Sequence, residues 1–191
     1  MTSTRAIRVL GIGGSLRDGS QSERAMRIAL AGAQDAGAEV SAVTGSALTL
    51  PFYDAGIGDR TAEAVQLVEA IRAADGLIVV SPGYHGALSG LVKNALDYVE
   101  DLRGDTRPYL DGRAVGLIAV AYGWQAAVTT LNQLRTIAHA LRGWPTPLGA
   151  AVNTAEVKFD EAGGASEEKV VKNLRLIGRQ VVEFGIARRA L

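Results

Sequence analysis

Polar side chains crowd a glycine-rich segment near the amino terminus, residues 11–22 with the sequence GIGGSLRDGSQS. The segment follows a short apolar run, and its candidate ligand-binding residues are Ser15, Arg17, Ser20, Gln21 and Ser22. Hydroxyl and N–H groups at the start of a helix donate to anionic oxygens, and the helix dipole favours the negative charge. A guanidinium adds countercharge and a forked pair of donors. The segment is therefore suited to holding a phosphate group.

The spacing within this segment indicates which phosphate. A dinucleotide-binding loop needs Gly-x-Gly-x-x-Gly, but Leu16 stands where the third glycine belongs, and the second strand, ending SAVTGS, lacks the acid that would bind the adenosine ribose. A Walker loop needs Gly-Lys-Ser/Thr, a tripeptide that the sequence does not contain. A terminal phosphate monoester fits better. A plainer interpretation stays open, in which Ser20 or Ser22 only caps a helix and Arg17 is solvated.

A second segment, residues 81–100 with the sequence SPGYHGALSGLVKNALDYVE, follows another apolar run. Pro82 and Gly83 are expected to end that strand. A plain strand-to-helix turn would account for the proline and the glycines. It would not account for Tyr84 and His85, which fall at the mouth of the expected site.

Composition limits the other chemistries. The 191 residues include no cysteine, which excludes disulfides, thiolate metal ligands and cysteine nucleophiles. The two histidines, His85 and His139, are too far apart to indicate a metal site, and no Gly-x-Ser-x-Gly nucleophile motif occurs. The net charge is zero, so nothing indicates a nucleic-acid or anionic-membrane partner. Redox chemistry in this chain would need a cofactor.

Both polar segments need a scaffold that brings them together. Apolar runs bounded by glycine predict buried parallel strands at 7–13, 38–43, 76–81 and 114–122, with a weaker fifth at 145–153. Segments with helical spacing of apolar residues lie between the strands. The alternation predicts an α/β flavodoxin-like three-layer sandwich, a single domain over residues 1–191 with a five-stranded parallel sheet of order 2-1-3-4-5 and helices on both faces. Its ligand site lies beyond the carboxyl ends of the first and third strands, where both segments fall.

At these two segments the sequence resembles a known family. GSLRDGSQS resembles the Gly-Ser-x-Arg-x-x-Ser phosphate loop of the NADPH-dependent FMN reductases. SPGYHGALSGLVKNALD resembles their Pro-x-Tyr-x-(Gly/Ala)-x-x-(Ser/Pro)-Gly-x-Leu-Lys-Asn-x-x-Asp segment. The likeness extends over about residues 7–186 in the order of strands and helices. These flavodoxin-like flavoproteins reduce free flavin, quinones, azo compounds or metal oxyanions.

The resemblance implies which residues bind FMN. The first loop would hold the flavin phosphate through Ser15, Arg17, Ser20, Gln21 and Ser22. The second loop would border the isoalloxazine ring at Pro82, Gly83, Tyr84, His85 and Gly86. Amides there can hydrogen-bond the pyrimidine edge and stabilise the negative charge of the reduced flavin. No catalytic side chain and no metal is expected, because FMN and a nicotinamide, NADPH or NADH, carry the reaction.

The chain departs from the family at two places. Position 83 is glycine where the family often has glutamate or a small apolar residue, so contacts of that side chain are lost. The loop AYGWQAA, after the fourth strand, carries Tyr122, Gly123 and Trp124 where relatives are richer in glycine and serine. The bulky rings are expected to cover the outer edge of the flavin or to narrow the acceptor pocket.

Together these features predict an NAD(P)H-dependent FMN reductase, an enzyme that transfers hydride from NADPH to FMN and on to a free flavin, quinone, azo compound or other acceptor. An electron-carrier flavodoxin or a non-catalytic FMN-binding module remains the alternative. Such carriers usually have a strongly acidic surface for docking, and this chain is neutral. In the charged segment 101–113, Arg103 or Arg107 either contacts the adenosine phosphate of NADPH or is solvated.

The expected partners are a small-molecule acceptor or free flavin and a monooxygenase that receives reduced flavin, without nucleic acid or membrane. The apolar helices LVKNALDYV and TTLNQLRTIAHAL favour a homodimer or homotetramer. A cytoplasmic location is expected because no apolar run approaches the roughly 18 residues that span a bilayer. The amino-terminal segment MTSTRAIRVLGIGG is also too short in its apolar part for a signal peptide.

Overall fold

A computed structural model describes residues 5–190, so residues 1–4 of the amino-terminal segment and residue 191 lie outside the description. Within this range the chain forms seven strands and five α-helices. The strands are β1 (Arg8–Gly13), β2 (Glu39–Thr44), β3 (Gly76–Tyr84), β4 (Ala87–Leu88), β5 (Ala114–Ala121), β6 (Trp144–Pro145) and β7 (Ala150–Asn153). The α-helices are α1 (Gln21–Asp35), α2 (Ala62–Ala73), α3 (Gly90–Asp97), α4 (Trp124–Ala140) and α5 (Glu168–Arg189). Two 3-10 helices cover Gly45–Leu48 and Tyr98–Leu102.

The sheet has parallel strands in the order β2-β1-β3-β5, and β6 and β7 both pair with the far side of β5. One face carries α1 and α5 over a cluster of apolar side chains that includes Val9, Ile78 and Ile118. The other face carries α2, α3 and α4 over a second cluster that includes Leu10, Leu77 and Leu117. Consecutive residues along each strand therefore place their side chains in the two clusters on opposite faces of the sheet. The predicted three-layer sandwich and its order 2-1-3-4-5, counted over the five main strand positions, are confirmed.

The predicted fifth strand is interrupted. Residues 145–153 form two short pieces, β6 and β7, instead of one continuous strand. Pro145 and Pro147 have no N–H to donate to a ladder, and the Thr146 hydroxyl donates to the Leu148 carbonyl oxygen at 2.7 Å. The chain thus turns locally between the pieces before it rejoins β5.

Two other strand predictions are corrected. Pro82 and Gly83 do not end β3, which continues to Tyr84 and folds back onto β4. Pro82 lies beyond the last residue of β1 that pairs with β3, where the strand has a neighbour on one side and a missing N–H is tolerated. The strand predicted as buried at 38–43 is the exposed edge strand β2, in which no residue is buried, because it has β1 as its neighbour on one side and none on the other.

Helices α1 and α5 pack in backbone contact, which fixes the position of α1. A Cβ at Gly178 would overlap the carbonyl oxygen of Ala29, and a Cβ at Gly32 would overlap that of Arg175. Glycines at both positions therefore permit the close approach. Because α1 begins at the end of the first polar segment, this packing also determines where that segment lies.

Candidate active site

The loops that follow β1, β3 and β5 meet at the carboxyl edge of the sheet and enclose a cleft of about 460 Å³, called here the main cleft. Nine predicted site residues line it: Ser15, Arg17, Ser20, Gln21, Ser22, Pro82, Gly83, Tyr84 and Tyr122. Val120, Ala121 and Thr154 complete the lining. A volume of this size is ordinary for a small-molecule site, for which roughly 300–1,000 Å³ is typical.

The first wall begins with a close approach of two strands. Gly13, with φ of 136°, lies so near β3 that a Cβ would overlap the Val80 carbonyl oxygen. The next residue, Gly14, donates its N–H to that same oxygen at 3.1 Å. Glycine is therefore needed here, and the loop that follows is held directly over the end of β3.

Helix α1 starts inside the main cleft. The Ser20 hydroxyl caps the helix by accepting the Glu23 N–H at 3.3 Å, and it lies 3.2 Å from the Ser22 hydroxyl, with both serines buried. The Glu23 carboxylate accepts the Gly19 N–H at 2.9 Å and pairs with Arg27. The N–H groups of Gln21 and Ser22, in the first turn, have no intrahelical acceptor. Ser20 thus caps the helix. Its hydroxyl, that of Ser22 and the free N–H groups of the first turn together form a set of donors suited to an anion.

Arg17 and Gln21 are positioned differently. Arg17 is exposed at the mouth of the main cleft. The Gln21 side chain is bound to the backbone of Phe159: its oxygen accepts the Phe159 N–H at 2.8 Å and its nitrogen donates to the Phe159 carbonyl at 3.2 Å. The part of Gln21 left for a ligand is therefore its backbone N–H.

The second wall is the β3–β4 hairpin. Tyr84 pairs with Ala87 across a turn in which His85 and Gly86 have φ of 50° and 85°, as a type I′ turn requires. His85 and Gly86 lie at the tip of this turn, and neither lines the main cleft. The hairpin instead presents Pro82, Gly83 and Tyr84 to it.

A side chain that the sequence did not indicate holds this hairpin. Gln133 of α4 accepts the Leu88 N–H at 3.0 Å and donates to the Gly86 carbonyl at 3.1 Å. No local pattern predicts this contact, because Gln133 is one polar residue within an amphipathic helix and its partners are more than forty positions away.

The third wall comes from the loop after β5. Tyr122 is 82% exposed and lines the main cleft, whereas Gly123, the residue before α4, has φ of 128°. The Trp124 ring is half exposed and lies outside the lining, where its Nε1 donates to Glu156 at 2.8 Å. Asn153 donates to the same Glu156 oxygen at 2.8 Å.

Thr154 also lines the main cleft, although the sequence interpretation omitted it. It follows β7 directly, and its hydroxyl donates to the Ala121 carbonyl at 3.2 Å. The rule that ligands lie at the carboxyl ends of parallel strands would have indicated this residue. The signal was weak because the fifth strand is broken in two.

A smaller cleft of about 310 Å³, called here the side cleft, shares one wall with the main cleft. Ser15, Arg17, Pro82 and Tyr84 line both. The rest of the side cleft is formed by Leu16 and by the start of α3, at Ser89, Gly90 and Leu91. Two molecules could therefore lie side by side against Tyr84.

The start of α3 is fixed by two serines. The Ser89 hydroxyl caps the helix by accepting the Val92 N–H at 3.2 Å, and the Ser89 N–H donates to the buried Ser81 hydroxyl at 2.9 Å. The side cleft thus has a floor that is fixed by hydrogen bonds.

No group of three or more His, Cys, Asp or Glu residues within 5–190 is arranged to hold a metal ion, and no helix in that range is long and apolar enough to cross a membrane.

The chain is similar in sequence to flavin-dependent and NADPH-dependent reductases. A family model described as NADPH-dependent FMN reductase matches residues 7–157. The NADPH azoreductase of Bacillus sp. (strain OY1-2) is 30% identical over 130 residues, which are 66% of this chain and 70% of that enzyme. The FMN-dependent NADPH-azoreductase of Staphylococcus aureus (strain USA300) is 32% identical over 120 residues, 62% of this chain and 60% of that enzyme.

Among solved structures, the flavoenzyme NAD(P)H:(acceptor) oxidoreductase FerB from Paracoccus denitrificans superposes with a TM-score of 0.77. The identity is 19%, and the alignment covers 96% of this chain and 99% of that one. At this identity the likeness bears on the fold, and it agrees with the flavodoxin-like architecture expected from the strand order.

Proposed function

Since the chain belongs to the NADPH-dependent FMN reductase family, we propose that it takes hydride from NADPH and delivers electrons to a small-molecule acceptor, with FMN held in the main cleft. The FMN cofactor and the NADPH donor follow from family membership. NADH as an alternative donor, the acceptor and the role of each residue are our proposals.

The phosphate of FMN is assigned to the start of α1. One end of the main cleft contains the buried hydroxyls of Ser20 and Ser22 and the unpaired N–H groups of the first helical turn. This cluster of donors is the observation that carries the assignment, because a phosphate monoester needs many donors around three oxygens. Ser15 and Arg17 close the cluster, and Gln21 contributes its N–H while its side chain holds Phe159.

The isoalloxazine ring is assigned to the other end. Pro82, Gly83 and Tyr84 line this end with the end of β3, where Gly83 and Tyr84 carry backbone N–H groups, and Tyr122 lines it from the β5 loop. His85, Gly86, Gly123 and Trp124 are proposed to shape this end from outside the lining. FMN supplies the redox chemistry when bound, accepting a hydride and passing on two electrons.

The lining residues bind and orient; they do not transfer protons. No Asp, Glu, His or Lys side chain from residues 5–190 lines the main cleft. The protein therefore contributes to the rate by aligning two planar molecules. Protons needed by the acceptor come from solvent, because the cleft is open to solvent at the exposed side chains of Tyr122 and Arg17.

The side cleft is proposed as the place of the electron acceptor. Its wall combines Leu16, Tyr84 and Leu91 with the polar start of α3, which suits a planar aromatic molecule with one anionic or carbonyl group. Both relatives carry the word azoreductase in their names, so an azo compound or a quinone is the proposed class. Free flavin, with delivery to a monooxygenase, is the further possibility within the same site.

The test is to follow the nicotinamide absorbance of purified FMN-loaded protein on adding NADPH. The expected result is rapid NADPH consumption with an azo dye and with a quinone, and slower consumption with oxygen alone. Protein without FMN is the control. If NADPH is not consumed with any acceptor while FMN binds, the chain is an electron carrier or a binding module and the proposal is wrong.

Four further proposals concern the domain organisation, the assembly, the location and the partners. We propose one domain over residues 1–191, because both apolar clusters pack on one sheet. We propose a homodimer or homotetramer, supported by the exposed apolar side chains Val128 and Trp124 on α4. A cytoplasmic location and the absence of a nucleic-acid partner are proposed from composition. Light scattering on the purified protein tests the assembly.

A further inference from the structure

A cavity of about 530 Å³ lies outside the two clefts and has no part in the proposed reaction. It is lined by Arg72, Gly104, Asp105, Thr106, Arg107 and Arg113. Arg72 lies in the last turn of α2, shortly before β3, and Arg113 immediately precedes β5, so this arginine cavity opens at the amino edge of the sheet. The main cleft lies at the carboxyl edge, about 25 Å away by the rise of an eight-residue strand.

Arg113 brings a buried charge to the arginine cavity. Its side chain is 1% exposed and donates to four backbone carbonyls, those of Arg72, Ala74, Tyr109 and Asp111. No carboxylate of residues 5–190 lies within ion-pair distance of it. Burial lowers the pKa of the guanidinium to about 10, and the neighbouring charge of Arg107 acts in the same direction. The carboxylates of Asp105, Asp75 and Asp111 act on this pKa in the opposite direction, each less strongly than burial.

The guanidinium of Arg107 is hydrogen-bonded through one of its three nitrogens. Its Nη2 donates to the carbonyls of Arg72 and Ala74 at 3.2 Å each. Capping α2 in this way uses one nitrogen. Its Nε and Nη1 groups have no acceptor within the described part of the chain.

Arg72 is the one lining arginine that pairs with a carboxylate. Its Nε donates to Asp105 at 2.7 Å and its Nη1 pairs with Glu69, while its Nη2 has no acceptor among residues 5–190. The lining thus carries three guanidiniums against the single carboxylate of Asp105, counted over the described residues. With Glu69, which pairs with Arg72 from outside the lining, one net positive charge and the free N–H donors of Arg107 and Arg72 remain for a ligand.

We propose that the arginine cavity is a second, non-flavin ligand site that binds a phosphate group. A phosphate offers oxygens for the free edges of Arg107 and Arg72 and for the Thr106 hydroxyl, and its negative charge complements the guanidinium of Arg107, which no carboxylate of residues 5–190 pairs. Either inorganic phosphate or the phosphate of a nucleotide has this chemistry. Its place at the opposite edge of the sheet separates this site from the hydride transfer.

The test measures phosphate binding to protein already saturated with FMN, so that the phosphate loop at α1 is filled. Isothermal titration with inorganic phosphate at constant ionic strength is expected to show one site per chain. Arg107→Gln should weaken the affinity about tenfold, since a lost charge-assisted bond corresponds to roughly 1.4 kcal/mol. Asp105→Asn should strengthen it severalfold by removing the one carboxylate of the lining.

Arg103→Gln is the matched control, because Arg103 is an exposed arginine of the same segment that does not line the cavity, and it should bind phosphate as the unchanged protein does. Repeating the titration in an Arg17→Ala background separates this site from the flavin site even if FMN binds poorly. Circular dichroism confirms that each variant is folded.

The outcomes are distinct. Tighter binding of AMP than of inorganic phosphate identifies a nucleotide as the source, and equal affinity identifies free phosphate; both support the site. No binding to the FMN-loaded protein at millimolar phosphate, an affinity unchanged by Arg107→Gln, or acetate binding as tightly as phosphate would overturn the proposal.

Discussion

Gly83 and Thr130 are so close that a Cβ on residue 83 would lie 2.7 Å from the Thr130 Oγ1. The same Cβ would be 3.0 Å from the Ala121 Cβ and 3.2 Å from the Ala126 carbonyl oxygen. Thr130 is fully buried, and its hydroxyl has no partner among the described residues. Helix α4 therefore occupies the space that a side chain at position 83 would need. This explains why glycine stands where the family often has glutamate.

We predict that Gly83→Ala weakens FMN binding. The added methyl would push the β3–β4 hairpin away from α4, and overpacking of this kind typically costs about 1–3 kcal/mol. Adding Thr130→Ala should restore part of the affinity, because it removes the nearest atom while Ala121 and Ala126 remain. Quenching of flavin fluorescence measures the dissociation constant. Gly58→Ala is the control, since a Cβ there meets nothing within 4 Å.

Arg17→Ala should weaken FMN affinity about tenfold to a hundredfold while leaving the rate at which NADPH reduces the bound flavin nearly unchanged. The reason is that Arg17 lies at the phosphate end of the main cleft, and a hydrogen bond to a charged group is worth about 1.5–3 kcal/mol. Fluorescence titration and single-turnover kinetics measure the two quantities. An unchanged FMN dissociation constant would remove Arg17 from the phosphate site.

The positions of the loops could be predicted from the sequence, whereas the contacts that hold them could not. Apolar runs and glycines locate β1 and β3, and the carboxyl-end rule then brings Ser20 and Tyr84 into one cleft. Gln21 shows the limit: its type and place suit a phosphate, but its side chain is bound to Phe159, 138 residues away.

Long-range pairs of this kind account for most of what was missed. Glu156 holds Trp124, and Gln133 holds Gly86, across 32 and 47 residues. Their amino-acid types are ordinary for exposed positions, so nothing local distinguishes them. The short strand β4 was missed for a related reason, because its two residues depend on pairing with the end of β3.

Gln133→Ala should loosen the β3–β4 hairpin. The variant loses two hydrogen bonds, to Leu88 and Gly86, each worth about 0.5–1.5 kcal/mol. We expect faster amide exchange at Leu88, a severalfold weaker affinity for FMN and a melting temperature lower by several degrees. Hydrogen exchange followed by mass spectrometry and a flavin titration test this. Gln125→Ala, an exposed glutamine of the same helix, should change neither quantity.

Asp101→Asn should reduce stability in a pH-dependent way. Arg60 donates two hydrogen bonds of 2.7 Å to Asp101, and these lower the pKa of the carboxyl below its usual value. Because the folded-state pKa is depressed, the stabilisation is complete above the unfolded-state pKa of about 3.9 and is lost as pH falls through the folded-state value.

At pH 7 the unfolding free energy of the variant should therefore be about 1 kcal/mol lower than that of the unchanged protein, and its melting temperature should be lower as well. This difference in stability should shrink as the pH falls. Thermal melts from pH 7 down to pH 3 measure it. Asp59→Asn, an exposed carboxylate without an ion pair among residues 5–190, is the control. A stability difference that persists unchanged at pH 3 would contradict the assignment to the Arg60 pair.

Trp124→Ala should change which acceptors are used. Trp124 lies outside the lining of the main cleft, two residues after Tyr122, and its Nε1 donates to Glu156 at 2.8 Å, which holds the ring in place. Removing it should raise kcat/KM for large azo dyes relative to small quinones and should alter FMN affinity less. Trp124→Phe keeps a ring but loses the hydrogen bond to Glu156, and its acceptor profile should fall between those of the unchanged protein and of Trp124→Ala. Trp144→Ala, at a half-exposed tryptophan of β6 that pairs with the amino end of β5, is the control. An acceptor profile identical to that of the unchanged protein would show that Trp124 serves packing alone.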